Sequence, residues 1–143
     1  MQNPKSSLTK SVVLSASYTS HNPHESFPDT SNGNLTWHTL ISAPKTPTQN
    51  LSAGIAVCLP ATGHLCAHRH VQAELYYILH GVGQVTIDGT VYPVSAGSIV
   101  YIPPDAEHAI VNTGSEDLRW FYVFPTSSFA DVVYRFSEKR AKL

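Results

Sequence analysis

Three side chains with the chemistry of metal ligands fall close together: His68, His70 and Glu74, inside the stretch GHLCAHRHVQAELYYILHG that runs from Gly63 to Gly81. Residues two apart on an extended strand share a face, so both imidazoles point one way. Glu74 keeps that parity if the chain stays extended, and a tight turn after His70 would also bring it back. Two imidazoles and a carboxylate suit a borderline divalent ion. His108, far along the chain, offers a further imidazole in an equally ordered context. An HxH pair alone is commonplace on a surface; Glu74, the flanking Gly63 and Gly81, and His108 turn it into a site. The chemistry such a centre supports is Lewis-acid catalysis at an open coordination position.

The elements that must hold these residues read as short strands. LTWHTLI (35–41) is the first secure one, with Leu35, Trp37, Thr39 and Ile41 on one face. LSAGIAVCLP (51–60) is the next, ended by Pro60. A strand closes at the HxH pair, and ELYYIL (74–79) follows, with Glu74, Tyr76 and Ile78 sharing a face. QVTID (84–88) and TVYPV (90–94) flank Asp88-Gly89, a hairpin signal. SIVYIP (98–103), HAIVN (108–112) and LRWFYVF (118–124) complete the set. A helix is predicted only over 127–135, where Phe129, Val132 and Val133 would form its apolar stripe. Many strands with turns every 8–12 residues predict an all-β sandwich or barrel. Histidines from distant strands could then converge on one interior point.

Residues 1–34 are polar, with Val12–Leu14 the only apolar run before Leu35. They are expected to be an extension that forms a short edge strand or an arm contacting a partner subunit, and 35–143 the barrel domain. The chain has 143 residues, a net charge of -1 and 13% charged residues. No basic patch or aromatic ladder marks a nucleic-acid surface. No run approaches transmembrane length, and no secretory leader is evident, so no membrane partner and no secretion are expected. Cys58 and Cys66 read as free thiols of a reducing compartment. The chain ends Ala141-Lys142-Leu143, which resembles the Ser-Lys-Leu peroxisomal address, so the expected location is cytoplasmic or peroxisomal.

Both motifs resemble those of the cupins. The first has a Gly, an HxH pair, a Glu four residues on and a Gly seven later, with the Gly63–His68 gap one residue shorter than usual. The second, GSIVYIPPDAEHAIVN (97–112), places Gly97, Pro103, His108 and Asn112 at the expected spacing, with Asp105 where the family has Gly. Asp tolerates left-handed backbone, so the turn survives. The resemblance covers about 51–124. It implies a double-stranded β-helix, or jelly roll, with a short C-terminal helix or extension. It also implies one divalent metal per chain (Fe, Mn, Zn or Ni) held by His68, His70, Glu74 and His108, and a homodimer.

Strand parity places Tyr76 and Ile78 beside Glu74. Trp120, Tyr122 and Phe124 share a face of the last long strand, and Trp37 is expected as a wall or lid; these are the pocket candidates around a small-molecule substrate. His64 and His80 fall in turns at the rim, Arg69 should point away from the metal, and Arg119 and Arg135 are candidate carboxylate clamps. The pattern of His68, His70, Glu74, Tyr76, His108 and Tyr134 is similar to that of small cupin lyases that split dimethylsulfoniopropionate into dimethyl sulfide and acrylate. There the metal holds the carboxylate and a tyrosinate removes the α-proton. That likeness implies a metal-dependent lyase or decarboxylase acting on a small carboxylate or β-keto acid, with Tyr76 as the proton-transfer residue and Tyr134 in reserve. A dioxygenase, a sugar or keto-acid isomerase and a non-catalytic binding module are the alternatives.

Overall fold

Alternation of apolar and polar residues, read along each strand, builds two antiparallel sheets facing each other. The computed structural model describes residues 9–138, so Ala141-Lys142-Leu143 and residues 1–8 of the expected extension lie outside the described residues. The strands are β1 (Glu25–Ser26), β2 (Thr36–Ile41), β3 (Ser52–Cys58), β4 (His64–Arg69), β5 (Glu74–His80), β6 (Val82–Ile87), β7 (Thr90–Ser95), β8 (Ile99–Ile102), β9 (His108–Asn112), β10 (Leu118–Phe124) and β11 (Arg135–Phe136). One sheet runs β1-β2-β3-β10-β5-β8 and the other β11-β4-β9-β6-β7. From β3 onward the chain crosses repeatedly between them, which is the winding of a jelly roll.

The expected strand parities hold. On β5, Glu74, Tyr76 and Ile78 are buried while Leu75, Tyr77 and Leu79 are exposed. On β10 the face of Trp120, Tyr122 and Phe124 looks into the barrel. Trp120 lies opposite Ile78, and Tyr122 opposite Tyr76. Val85, Val94 and Ile110 close the core from the second sheet. Asp88 (φ 47°) and Gly89 (φ 83°) both take the left-handed conformation that a two-residue hairpin demands. Asp105 does so too, at φ 60°, in the position where the motif resemblance expects Gly.

Two expectations are corrected. The segment 127–135 is not an α-helix. It makes a 3-10 turn at Phe129–Asp131, with Ser128 Oγ accepting from Ala130 N, and then extends into β11. Val132 is buried and Val133 is 67% exposed, an alternation rather than a helical stripe. The physical reason is the open edge of β4, which offers backbone partners: Arg135 pairs with Arg69, Phe136 with His68, and Ser137 N donates to Ala67 O. Val12–Leu14 is not a strand; Tyr18–His21 forms one helical turn, and β1 pairs with β2. Glu25 Oε2 accepts from Thr39 N at 2.7 Å, tying β1 down.

Candidate metal centre

His68 lies on β4 and His108 on β9, directly opposite one another across the ladder. Their rings approach to 4.1 Å between centroids. His70 follows β4 by one residue, and its ring lies 4.8 Å from that of His108. Its backbone is fixed by the second motif: Asp105 N donates to His70 O at 2.9 Å, which the left-handed turn at Asp105 allows. Glu74, first residue of β5, projects from the opposite sheet. The ligand atoms of His68, His70 and His108 all lie within 4.8 Å of one another, an arrangement that can hold a metal ion.

The hydrogen bonds around the rings fix their tautomers. His68 Nδ1 meets Cys66 O at 2.8 Å, His70 Nδ1 meets Gln72 O at 2.9 Å and His108 Nδ1 meets Ala106 O at 2.9 Å. A carbonyl only accepts, so each ring donates from Nδ1 and turns the lone pair of Nε2 inward. Nε2 of all three rings and Oε1 of Glu74 are buried with no hydrogen-bond partner. Glu74 Oε1 stands 3.3 Å from Nε2 of both His70 and His108. A carboxylate facing imidazole lone pairs out of water is costly unless positive charge lies between them. A divalent ion with N and O ligands meets that requirement, and the carbonyl-anchored Nδ1 atoms are the usual outer support of metal-binding imidazoles.

The electrostatics favour an unprotonated His68 and an ionised Glu74. Burial, with His108 alongside, drives the His68 pKa down from 6.5 to about 3. Burial alone would raise the Glu74 carboxyl, but His108 and His70 beside it hold it below the ordinary range. Tyr76 is pushed well above a normal phenol by burial and then by the Glu74 carboxylate, and Tyr134 by the same two causes.

Glu74 opens onto a narrow apolar pocket with a free volume of about 20 Å³, room for about one water. Leu35, Ala56 and Leu65 form part of the wall, and the aromatic residues Phe27, Trp37, Tyr76, Trp120, Tyr122, Phe129 and Tyr134 form the rest. Among the described residues, no lysine or arginine lines it. Trp37, Tyr76, Trp120, Tyr122 and Tyr134 are thus brought together as the sequence suggests. Ile78 lies deeper, fully buried in the core, and Phe124 sits behind His70 at 5.2 Å between rings; neither lines the pocket. Tyr134 covers the histidines, 4.8 Å from His68 and 5.6 Å from His70 between centroids. Phe27 and Phe129 are wall residues that sequence reasoning missed. Phe27 sits among Ser and Pro with no periodicity to flag it, whereas Phe129 was visible as an apolar residue assigned to a helix.

The described arginines have other duties. Arg69 points away from the histidines and donates to Asp105 O at 2.8 Å. Arg135 pairs with the Asp105 carboxylate, and Arg119 lies 3.8 Å from Asp117. His64 and His80 bond the backbone carbonyls of Thr62 and Asp117 at the rim. Asn112 is structural: its amide donates to Cys58 O and Glu116 O and accepts from Gly114 N. Cys58 and Cys66 are free, and burial lifts the Cys58 thiol to about 12.

With fold and site in place, the comparisons with known proteins agree. The family model described as the cupin domain matches residues 55–124. The chain belongs to the cupin family. The dimethylsulfoniopropionate lyase DddW of Ruegeria pomeroyi is 43% identical over 110 residues, covering 76% of this chain and 70% of that one. An oxalate-binding protein of Thermotoga maritima is 35% identical over 66 residues, 46% of this chain and 54% of its own. A solved structure of the DMSP lyases RdDddP and RnDddQII matches with a TM-score of 0.67 at 17% identity, over 80% of this chain and 62% of that one, a likeness of fold.

Proposed function

We propose that the chain is a metal-dependent lyase that removes a proton beside a carboxylate and expels a leaving group from the next carbon, with dimethylsulfoniopropionate as the lead substrate. The observation that carries this reading is the convergence of four partnerless ligand atoms beside a pocket that Glu74 lines, walled by aromatic rings and, among the described residues, free of lysine and arginine. The likeness to DddW supports it.

His68, His70 and His108 through Nε2, and Glu74 through Oε1, would hold one divalent ion, Fe, Mn, Zn or Ni. When bound, that ion supplies fixed positive charge, which anchors a carboxylate and offsets the burial and the Glu74 charge that otherwise keep Tyr76 protonated. The aromatic wall suits the other end of the substrate. Ring faces attract a methylated onium, and each good contact is worth roughly 0.5–2 kcal/mol. A β-keto acid carries no cation for those rings, so the onium acid fits better.

Tyr76 takes the proton. It follows Glu74 by two on the inward face of β5 and lines the pocket. The C–H electron pair becomes the new double bond, the C–S bond breaks, and sulfur leaves with its pair as neutral dimethyl sulfide. Acrylate remains. Tyr134, lying over His68, closes the mouth and orients the substrate.

The test is dimethyl sulfide release, measured by gas chromatography from metal-loaded protein under anaerobic conditions. Tyr76→Phe should lower kcat by about 10²–10⁴-fold with metal content retained, and Tyr134→Phe should act mainly on KM. No turnover of any onium acid, or turnover that requires oxygen, would overturn the reading, the latter in favour of a dioxygenase.

A further inference from the structure

The pocket beside Glu74 has room for about one water, and an acid carrying a leaving group is several times larger. A wall must move before such a molecule can enter. Most of the wall is fixed. Trp37, Ala56, Leu65, Tyr76, Trp120 and Tyr122 sit on β2, β3, β4, β5 and β10, all strands paired within their sheets. Tyr134 lies instead on the strap 127–136. The strap is tied down at its start, where Ala43 N donates to Ser127 O at 2.8 Å and Phe129 N to Ser42 Oγ at 2.9 Å. Beyond Phe129 the hold is slighter. Of residues 130–137 only Val132 is fully buried. β11 pairs with β4 over two residues, and Arg135 and Ser137 reach Asp105 and Glu107 through exposed side chains. Exposed ion pairs and a short ladder are weak latches.

The same stretch grips the supports of the histidines. Gln72 O accepts from His70 Nδ1 at 2.9 Å, while Gln72 Nε2 donates to Asp131 O at 3.3 Å. Asp105 N donates to His70 O, and the Asp105 carboxylate accepts from Arg135. Phe136 lies opposite His68 in the ladder, with 5.6 Å between ring centroids. His70 thus hangs, by its ring and by its backbone, on two residues that also hold the strap. Lifting the strap takes a partner from each of them. An ion that fixes the His70 ring steadies Gln72 in turn, and the outer partners of metal-binding imidazoles commonly set how tightly the metal is held.

We propose that residues 130–137 are the gate of the pocket, swinging about Ser128–Phe129, and that Gln72 is the positioning residue that couples this gate to the metal centre. Metal favours the closed gate, and an open gate weakens the metal by the same factor, because linkage between two equilibria is reciprocal. Closed, Tyr134 covers His68 and His70. Open, it uncovers them and widens the pocket at the side of the aromatic wall. The Arg135–Asp105 and Ser137–Glu107 contacts are the latches, and all four residues lie outside the ligand set. The coupling rests on the metal ligation proposed above and not on the reaction.

Zinc alone is the probe, with its stoichiometry read by elemental analysis. Hydrogen exchange at Ser137, whose N–H bonds Ala67 O, should be at least about fivefold slower with zinc than without, the lower end for coupled sites. Both tryptophans of the chain, Trp37 and Trp120, line the pocket, so acrylamide quenching of their fluorescence should fall when zinc binds. Arg135→Ala combined with Ser137→Ala should restore the quenching and raise the zinc Kd by about fivefold or more. Gln72→Met leaves the backbone carbonyl on His70. It should still bind zinc but lose most of the zinc effect at Ser137, with exchange over 82–95 unaltered; a merely structural Gln72 would leave that effect intact. Stoichiometric zinc that changes neither Ser137 exchange nor quenching overturns the gate and leaves the metal site standing. So does a latch variant with faster Ser137 exchange and an unchanged zinc Kd. A full zinc effect in Gln72→Met overturns the coupling assigned to that residue. A chain that binds no zinc or other divalent ion loses the metal site and the coupled gate together.

Discussion

Gly54 couples the pocket wall to the sheet behind it, and Gly54→Ala should damage both. A Cβ built there lies 2.6 Å from His38 O and closer still to the ring end and hydroxyl of Tyr122. Ordinary contacts of that kind begin near 3.4 Å, so something must move by about 1 Å. His38 O is a carbonyl on β2, in ladder with β3, and cannot retreat without breaking register. The Tyr122 ring is the softer partner, but it is buried against Phe124 and Phe129, with centroids at 5.8 and 6.0 Å. Overpacking of this kind costs typically 1–3 kcal/mol. For a domain of this size that lowers Tm by roughly 3–10 °C. The displaced phenol would enter the pocket, so KM should rise. Thermal unfolding and steady-state kinetics of Gly54→Ala, repeated in a Tyr122→Leu background, separate the two effects. With the ring end removed, the alanine should cost at least about 1 kcal/mol less, because only the carbonyl contact remains. A Gly54→Ala protein with Tm and KM unchanged, or an equal cost in both backgrounds, would refute the reasoning.

Chelated protein reloaded with Mn, Fe, Zn or Ni should bind one ion per chain by elemental analysis, and His70→Ala should lose it; metal retained in that variant would break the proposed ligand set. Saturating metal at a hundredfold excess over Kd should raise stability by about 2.7 kcal/mol in denaturant titrations. In the metal-free protein, unfolded His68 takes a proton below pH 6.5 while the folded residue, held to about 3, does not. Stability should therefore fall with acid through that window, by about 2 kcal/mol at pH 5 relative to pH 7.5, and a flat urea midpoint would contradict it. Arg135→Ala removes an exposed ion pair with Asp105 and should cost under about 1 kcal/mol globally. It should still speed hydrogen exchange at Ser137, whose N–H bonds Ala67 O; unchanged exchange would show that the pair does not hold β11 in place.

The strands were legible because burial on one face imposes a period of two, and ELYYIL and LRWFYVF carry it cleanly. His68 and His70 were legible as a pair two apart, whereas Glu74 comes from the other sheet across a bend at 71–72, so its place beside them, and that of His108, was legible from the motif resemblance and not from parity. Asp105 was readable as a turn residue from its tolerance of left-handed backbone. The strap at 127–136 was not. Phe129, Val132 and Val133 match helical spacing as well as they match a turn followed by a strand, and the deciding term is the unpaired edge of β4, a tertiary fact. The pocket wall suffered in the same way. Parity assigns Ile78 and Phe124 to the interior but not to a depth within it, and Phe27 reaches the pocket from a segment with no periodicity at all.

The family model ends at 55 and 124, yet Phe27, Leu35, Trp37, Phe129 and Tyr134 lie beyond those limits. The motif-bearing part of the barrel and much of the wall of its mouth thus lie in different parts of the chain. The histidines and Glu74 belong to the matched part, whereas five of the eleven pocket-lining residues are carried on the two flanking ends. Selection can rewrite those ends without disturbing the metal-binding frame, so barrels with matching motifs can serve different chemistries. The same division offers an engineering route: transplanting 25–37 and 125–137 between cupins would exchange substrate preference while leaving the ligand set in place.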